Sequence, residues 1–162
     1  MNGSTGDKTF SMSEKPNRRD AVMTLGRAEN MLPLVRLIVE DAVNAQRHID
    51  TLRPEQDRLD RQRRALAWPD RRRRYQVREE LTRYERALLD ARAELDNLGV
   101  VLIDAHAGRV GFPTIVNTRR AYFSWKPGQD CLLHWHYADD HTFRPIPVEW
   151  RAAEEPALQP KH

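Results

Sequence analysis

Three of the chain's six histidines, His134, His136 and His141, fall in the stretch CLLHWHYADDH (131–141), beside Asp139, Asp140 and the single cysteine, Cys131. A His-x-His pair on a strand points both imidazoles the same way, which can seat two ligands of one metal; Asp139, Asp140 or His141 would then supply a third. The same residues also suit acid–base chemistry at His136, with Tyr122 or Arg144 orienting a substrate anion. A third reading is structural: His136 is hydrogen-bonded to local backbone or a carboxylate and braces the loop that follows. The sequence holds no CxxC or HExxH pattern, no Gly-rich phosphate loop, no dinucleotide fingerprint and no nucleophile elbow.

A second group is RQRRALAWPDRRRRY (61–75), with seven arginines against one aspartate and two aromatics. Arg64, Arg71, Arg72, Arg73 and Arg74 around Trp68 suit phosphate backbones and base stacking, or an anionic membrane surface. Only four of the 27 basic residues are lysines. GC-rich coding accounts for such a bias as readily as binding does, and a solvated helix turn is the plain alternative.

The histidines must be held by strands. After Gly99 the texture turns to short β-branched and aromatic runs: VVLID (100–104), GRVGFPTI (108–115), RRAYFSW (119–125) and CLLHWH (131–136). These predict an antiparallel sheet of about four strands, with YADDHTFRPIPV as a loop, because Pro145 and Pro147 forbid a regular central strand. Pairing the last two strands across KPGQD, with 125 opposite 131 and 123 opposite 133, separates two faces. Ala121, Phe123, Trp125, Cys131, Leu133 and Trp135 form an apolar core face. Arg120, Tyr122, Ser124, Leu132, His134 and His136 form an almost wholly polar surface. The split puts Cys131 away from the histidines and argues against a Cys/His zinc site.

Upstream, the apolar periodicity is helical. Thr24 caps a helix starting at Leu25, and Pro33 predicts a bend followed by a long helix. Ile38, Ala42, Ala45, Ile49, Leu52, Gln56, Leu59, Arg63 and Leu66 follow a 3.5-residue repeat that weakens at Gln56 and Arg63, with Pro54 a point of kinking or division, and Val77, Leu81, Tyr84, Leu88, Ala91, Leu95 and Leu98 follow it too. The WPD turn at 68–70 divides them and Gly99 ends the second. The fold class is therefore α+β: a coiled-coil-like antiparallel helical hairpin (23–98), then a small sheet and loop (99–148). Residues 1–22 and 149–162 read as disordered tails. No apolar run is long enough to span a membrane and no secretory leader is evident. The lone cysteine favours a reducing, cytoplasmic setting. A two-helix seam that outreaches a small sheet favours a homodimer.

TLGRAENMLPLV (24–35), LGVVLID (98–104), GRVGFP (108–113), AYFSWKPGQ (121–129) and HWHYADD…R (134–144) are similar, in order, to a prokaryotic family catalogued as domain of unknown function 2203. The family's recurring positions fall on Ala28, Leu32, Pro33, Gly99, Phe112, Pro113, Tyr122, Trp125, His136 and Arg144. Gly111 stands where the family often carries an acidic residue, and the last loop is shorter. The resemblance implies no activity, cofactor or partner, and it singles out His136. The leading functional expectation is a non-enzymatic interaction module built on the hairpin. The competing ones are a ligand, anion or metal site around Tyr122, His134, His136 and Arg144, and nucleic-acid binding at the hairpin tip.

Overall fold

The computed structural model describes residues 22–153; residues 1–21 of the expected N-terminal tail and residues 154–162 lie outside the described part. Helix α1 (Leu25–Arg61) and helix α2 (Trp68–Asn97) form the antiparallel hairpin. At ~1.5 Å per residue they are about 55 and 45 Å long. Thr24 caps α1, its hydroxyl accepting from the Arg27 N–H at 3.2 Å. Instead of a short helix followed by a long one, α1 runs as a single helix through Pro33 and Pro54. A proline inside a helix costs ~3 kcal/mol. Both prolines are exposed, and Ala28, Leu32, Val35, Ile38, Val39 and Ala42 are buried on either side of Pro33 in one core, so packing outweighs the local cost. The far end of α2 closes as expected. Gly99, at φ +78°, lets Gly99 N–H reach the Asp96 carbonyl and Val100 N–H reach that of Leu95.

Five strands follow in a meander of order β1-β2-β3-β4-β5, all antiparallel: β1 (Val101–Asp104), β2 (Arg109–Val116), β3 (Arg119–Trp125), β4 (His134–Tyr137) and β5 (Arg144–Pro145). The fifth strand is a two-residue edge, where Pro145 is tolerated. The β3–β4 pairing is shifted by two from the expected register, with Phe123 opposite Trp135 and Tyr122 opposite His136. A shift of two preserves faces, so Ala121, Phe123, Trp125 and Trp135 are core as expected. Leu133 is not. The strand starts only at His134, so 131–133 escape the alternation: Leu132 is fully buried and Leu133 is 44% exposed. Cys131, in the same segment, is half-buried rather than buried.

The chain stays ordered past the expected boundary at 148. Val148–Ala152 form a short helix, α3, that sets Trp150 against Phe123 and Trp135, with ring centroids 6.3 and 5.5 Å away. Arg151 ties it to the Glu29 carboxylate on α1 and to the Leu132 carbonyl.

Two cores result. The larger lies between the inner sheet face and the base of the hairpin. The smaller, made of Ile49, Leu52, Leu59, Leu66, Val77 and Leu81, lies along the outer hairpin, and Leu88 packs against both. Within the single chain these outer seam residues are buried against one another. Arg73 fastens the outer hairpin, holding both oxygens of Glu55 at 2.7 and 3.0 Å and reaching Glu80 at 3.3 Å. The hydrogen bond from Arg73 holds the Glu55 carboxyl below its ordinary value of 4.5. A depressed carboxylate stabilises the fold fully above that ordinary value and ceases to as pH falls through the folded one. Arg73→Gln is expected to cost up to about 1 kcal/mol near pH 7 by urea titration, since the pair is partly solvent-screened. The deficit should shrink below about pH 4.5, where Glu55 protonates in the unfolded chain.

Candidate functional site

β3 and β4 carry Tyr122, Ser124, His134 and His136 to the outer sheet face, the side away from the hairpin, because each strand alternates its side chains. Tyr122 and His136 are direct cross-strand partners with ring centroids 5.6 Å apart. The face is not open, as expected for His136, but covered. The segment 138–143 folds back, setting the Phe143 ring 5.1 Å and the His141 ring 6.2 Å from the His136 ring. His136 is left only 3% exposed.

The hydrogen bonding of His136 fixes its chemistry. Nδ1 lies 2.8 Å from the Tyr137 carbonyl, which can only accept, so Nδ1 carries the hydrogen. In the neutral ring, Nε2 then holds a lone pair. That atom is buried and, among the described residues, has no hydrogen-bond partner. A buried polar atom left unpaired costs about 1–3 kcal/mol. A hydroxyl or amide N–H from a bound molecule would satisfy it.

Arg109 and Phe143 complete the surroundings and were not singled out by the sequence. Arg109 Nη1 donates to Ser124 Oγ at 3.1 Å, and its guanidinium lies 4.4 Å from the Phe143 ring centre. Extending the alternation of β2 back from Phe112 puts Arg109 on the outer face, a signal that was legible. Tyr122 packs over Gly111: a Cβ there would meet Tyr122 Cδ1 and Ile103 Cδ1 at 2.9 Å. A larger residue would displace the tyrosine ring.

Arg144 does not join this group. Its register partner is Trp135, a core-face residue, and its guanidinium sits over the Trp135 and Tyr137 rings at 5.3 and 5.0 Å. Its role here is to hold the loop, through a 2.9 Å bond from Nη2 to Asp140. Hydrogen bonds from the Thr142 side chain and N–H, then from Arg144, keep the Asp140 carboxyl far below the usual carboxylate range. Arg120 is exposed near the open end of β3. Asp139 is turned to Arg119 at 2.9 Å. Of the weak metal candidates His134, His136, Asp139 and His141, the rings of His136 and His141 come near each other while Asp139 is turned away; among the described residues no three His, Cys, Asp or Glu side chains are grouped to hold a metal.

At the hairpin tip, part of the arginine charge is already neutralised. Arg73 is taken by Glu55 and Glu80, and Arg74 bonds Asp60 at 2.6 Å. Arg71 gives its Nε–H to the Leu66 carbonyl at 3.0 Å. Arg64 and Arg72 point into solvent, with Trp68 exposed between them in sequence.

No described helix is long and apolar enough to cross a membrane. Neither the curated proteins nor the solved structures contain a match to the chain. A family model does match, over residues 22–144, from the strand-like entry to α1 through Arg144. The chain belongs to the uncharacterised conserved protein family designated domain of unknown function 2203.

Proposed function

We propose that this chain binds a small molecule on the outer face of its sheet, beneath the segment 138–143, through His136. The observation behind this reading is the buried, unpartnered Nε2 of His136. The ligand presents a hydroxyl or amide N–H to that lone pair. Tyr122 offers a ring beside it, and Arg109 offers a cation at the margin. Binding requires 138–143 to lift. That segment is held by Arg119 with Asp139, by the part-buried pair of Arg144 with Asp140 and by the Ala138 N–H on the Arg120 carbonyl, and it sets Phe143 and His141 on His136. The hairpin then serves as scaffold, its outer seam packed as a core of its own.

Imidazole ¹⁵N spectra of the whole protein, titrated with a panel of small polyols, hydroxy acids and amides, test this. At least one compound is expected to shift the His136 Nε2 resonance and raise the melting temperature, and His136→Phe is expected to remain folded without that stabilisation. If no compound moves the resonance or raises the melting temperature, the reading fails, and the histidine serves the fold through its hydrogen bond to the Tyr137 carbonyl.

A further inference from the structure

The sheet site leaves the other end of the molecule unexplained. Trp68, at the start of α2, is 73% exposed and Tyr75 is 63% exposed. Seven residues apart, they lie on one helix face about 10.5 Å apart along the axis. Arg71 and Arg72, three and four residues beyond Trp68, occupy the same face between the two rings. Arg63 and Arg64 add charge from the turn that enters α2. Arg63, Arg64 and Arg72 have no ion-pair partner among the described residues. Arg71 uses one N–H of its fork on a backbone carbonyl. Nearby acids do not cancel this charge. Asp60 is engaged by Arg74, and Asp70 stands alone in the first turn of α2.

An exposed tryptophan costs solvation and does nothing for this fold, since the core beneath it is formed by Leu59, Leu66 and Val77. Two solvent-facing rings with arginines between them match the needs of an unpaired strand: flat surfaces for bases and planar cations for the phosphates. A lipid surface would call for a continuous apolar face, and here the rings are separated by charge. We propose that the hairpin tip is a contact site for single-stranded nucleic acid, with Trp68 and Tyr75 stacking on bases and Arg63, Arg64, Arg71 and Arg72 on phosphates.

Fluorescence anisotropy of labelled 20-mers, oligo(dT) and oligo(rA), with the full chain at 50 mM salt tests it. Binding is expected, with a log–log salt slope that falls by about two when Arg63, Arg64 and Arg72 are changed together to glutamine. Trp68→Ala should weaken binding about tenfold while leaving the circular dichroism unchanged. Absence of binding at micromolar protein overturns the proposal. So does binding confined to vesicles containing phosphatidylserine, or oligonucleotide binding that Trp68→Ala leaves intact.

Discussion

Phe112→Ala is expected to destabilise the protein by about 3–5 kcal/mol, the range for deleting a fully buried ring that leaves a cavity. Phe112 is completely buried, in the middle of β2, opposite Phe123 and inside the larger core. Its ring lies where sheet and hairpin base meet, with strands on both sides of β2 that cannot collapse inward without breaking their ladders. Against a usual total of ~5–15 kcal/mol, this loss is a large share of the stability. Urea unfolding followed by near- and far-ultraviolet circular dichroism gives the measurement. A single transition is expected, because α1 and α2 run through both cores and Leu88 packs on each. A midpoint within a few tenths molar of the parent would show that β2 is not where the fold is held.

Gly108→Val is expected to cost about 2–5 kcal/mol, from two causes that add. The backbone there has φ +69°, which a β-branched residue adopts at ~1–2 kcal/mol or more. The space is also filled. A Cβ would lie 2.8 Å from Val43 Cγ2, 2.9 Å from Val39 Cγ1 and 2.9 Å from the Pro127 ring. None of these atoms is the end of a flexible side chain, so relief requires α1 or the loop after β3 to move, at ~1–3 kcal/mol. Gly128→Ala makes the control: its φ is also positive, but nothing lies within 4 Å of the added carbon. Chemical denaturation of both variants separates backbone strain from crowding. Equal losses would mean that crowding at Gly108 contributes nothing.

The helices were legible because their apolar residues repeat over many turns, and so were the faces of β3, since a shift of two residues preserves them. Three features were hidden for separate reasons. Pro33 signals a break locally, but residues on both sides of it pack into one core, and that advantage is tertiary. Leu132 and Leu133 exchange roles because the strand starts later than CLLHWH suggests; no local pattern distinguishes a strand residue from one just before it. The burial of His136 depends on Phe143 and His141 arriving from a segment with no periodicity. Arg144 could have been placed by parity with Trp135, had the two-residue edge strand been foreseen. Its proline gave the opposite signal.

The short helix α3 has a consequence for how the polypeptide tolerates being shortened. Its five residues bring Trp150 onto the Phe123 and Trp135 rings, and its arginine onto Glu29 and Leu132. A chain cut at Pro147 would keep every strand and both long helices, yet would expose the aromatic edge of its own core. Such a fragment would invite self-association through that edge and cleavage by proteases that leave the full chain intact. The helix α3 is thus a seal, and a shortened version that ends before Val148 loses it.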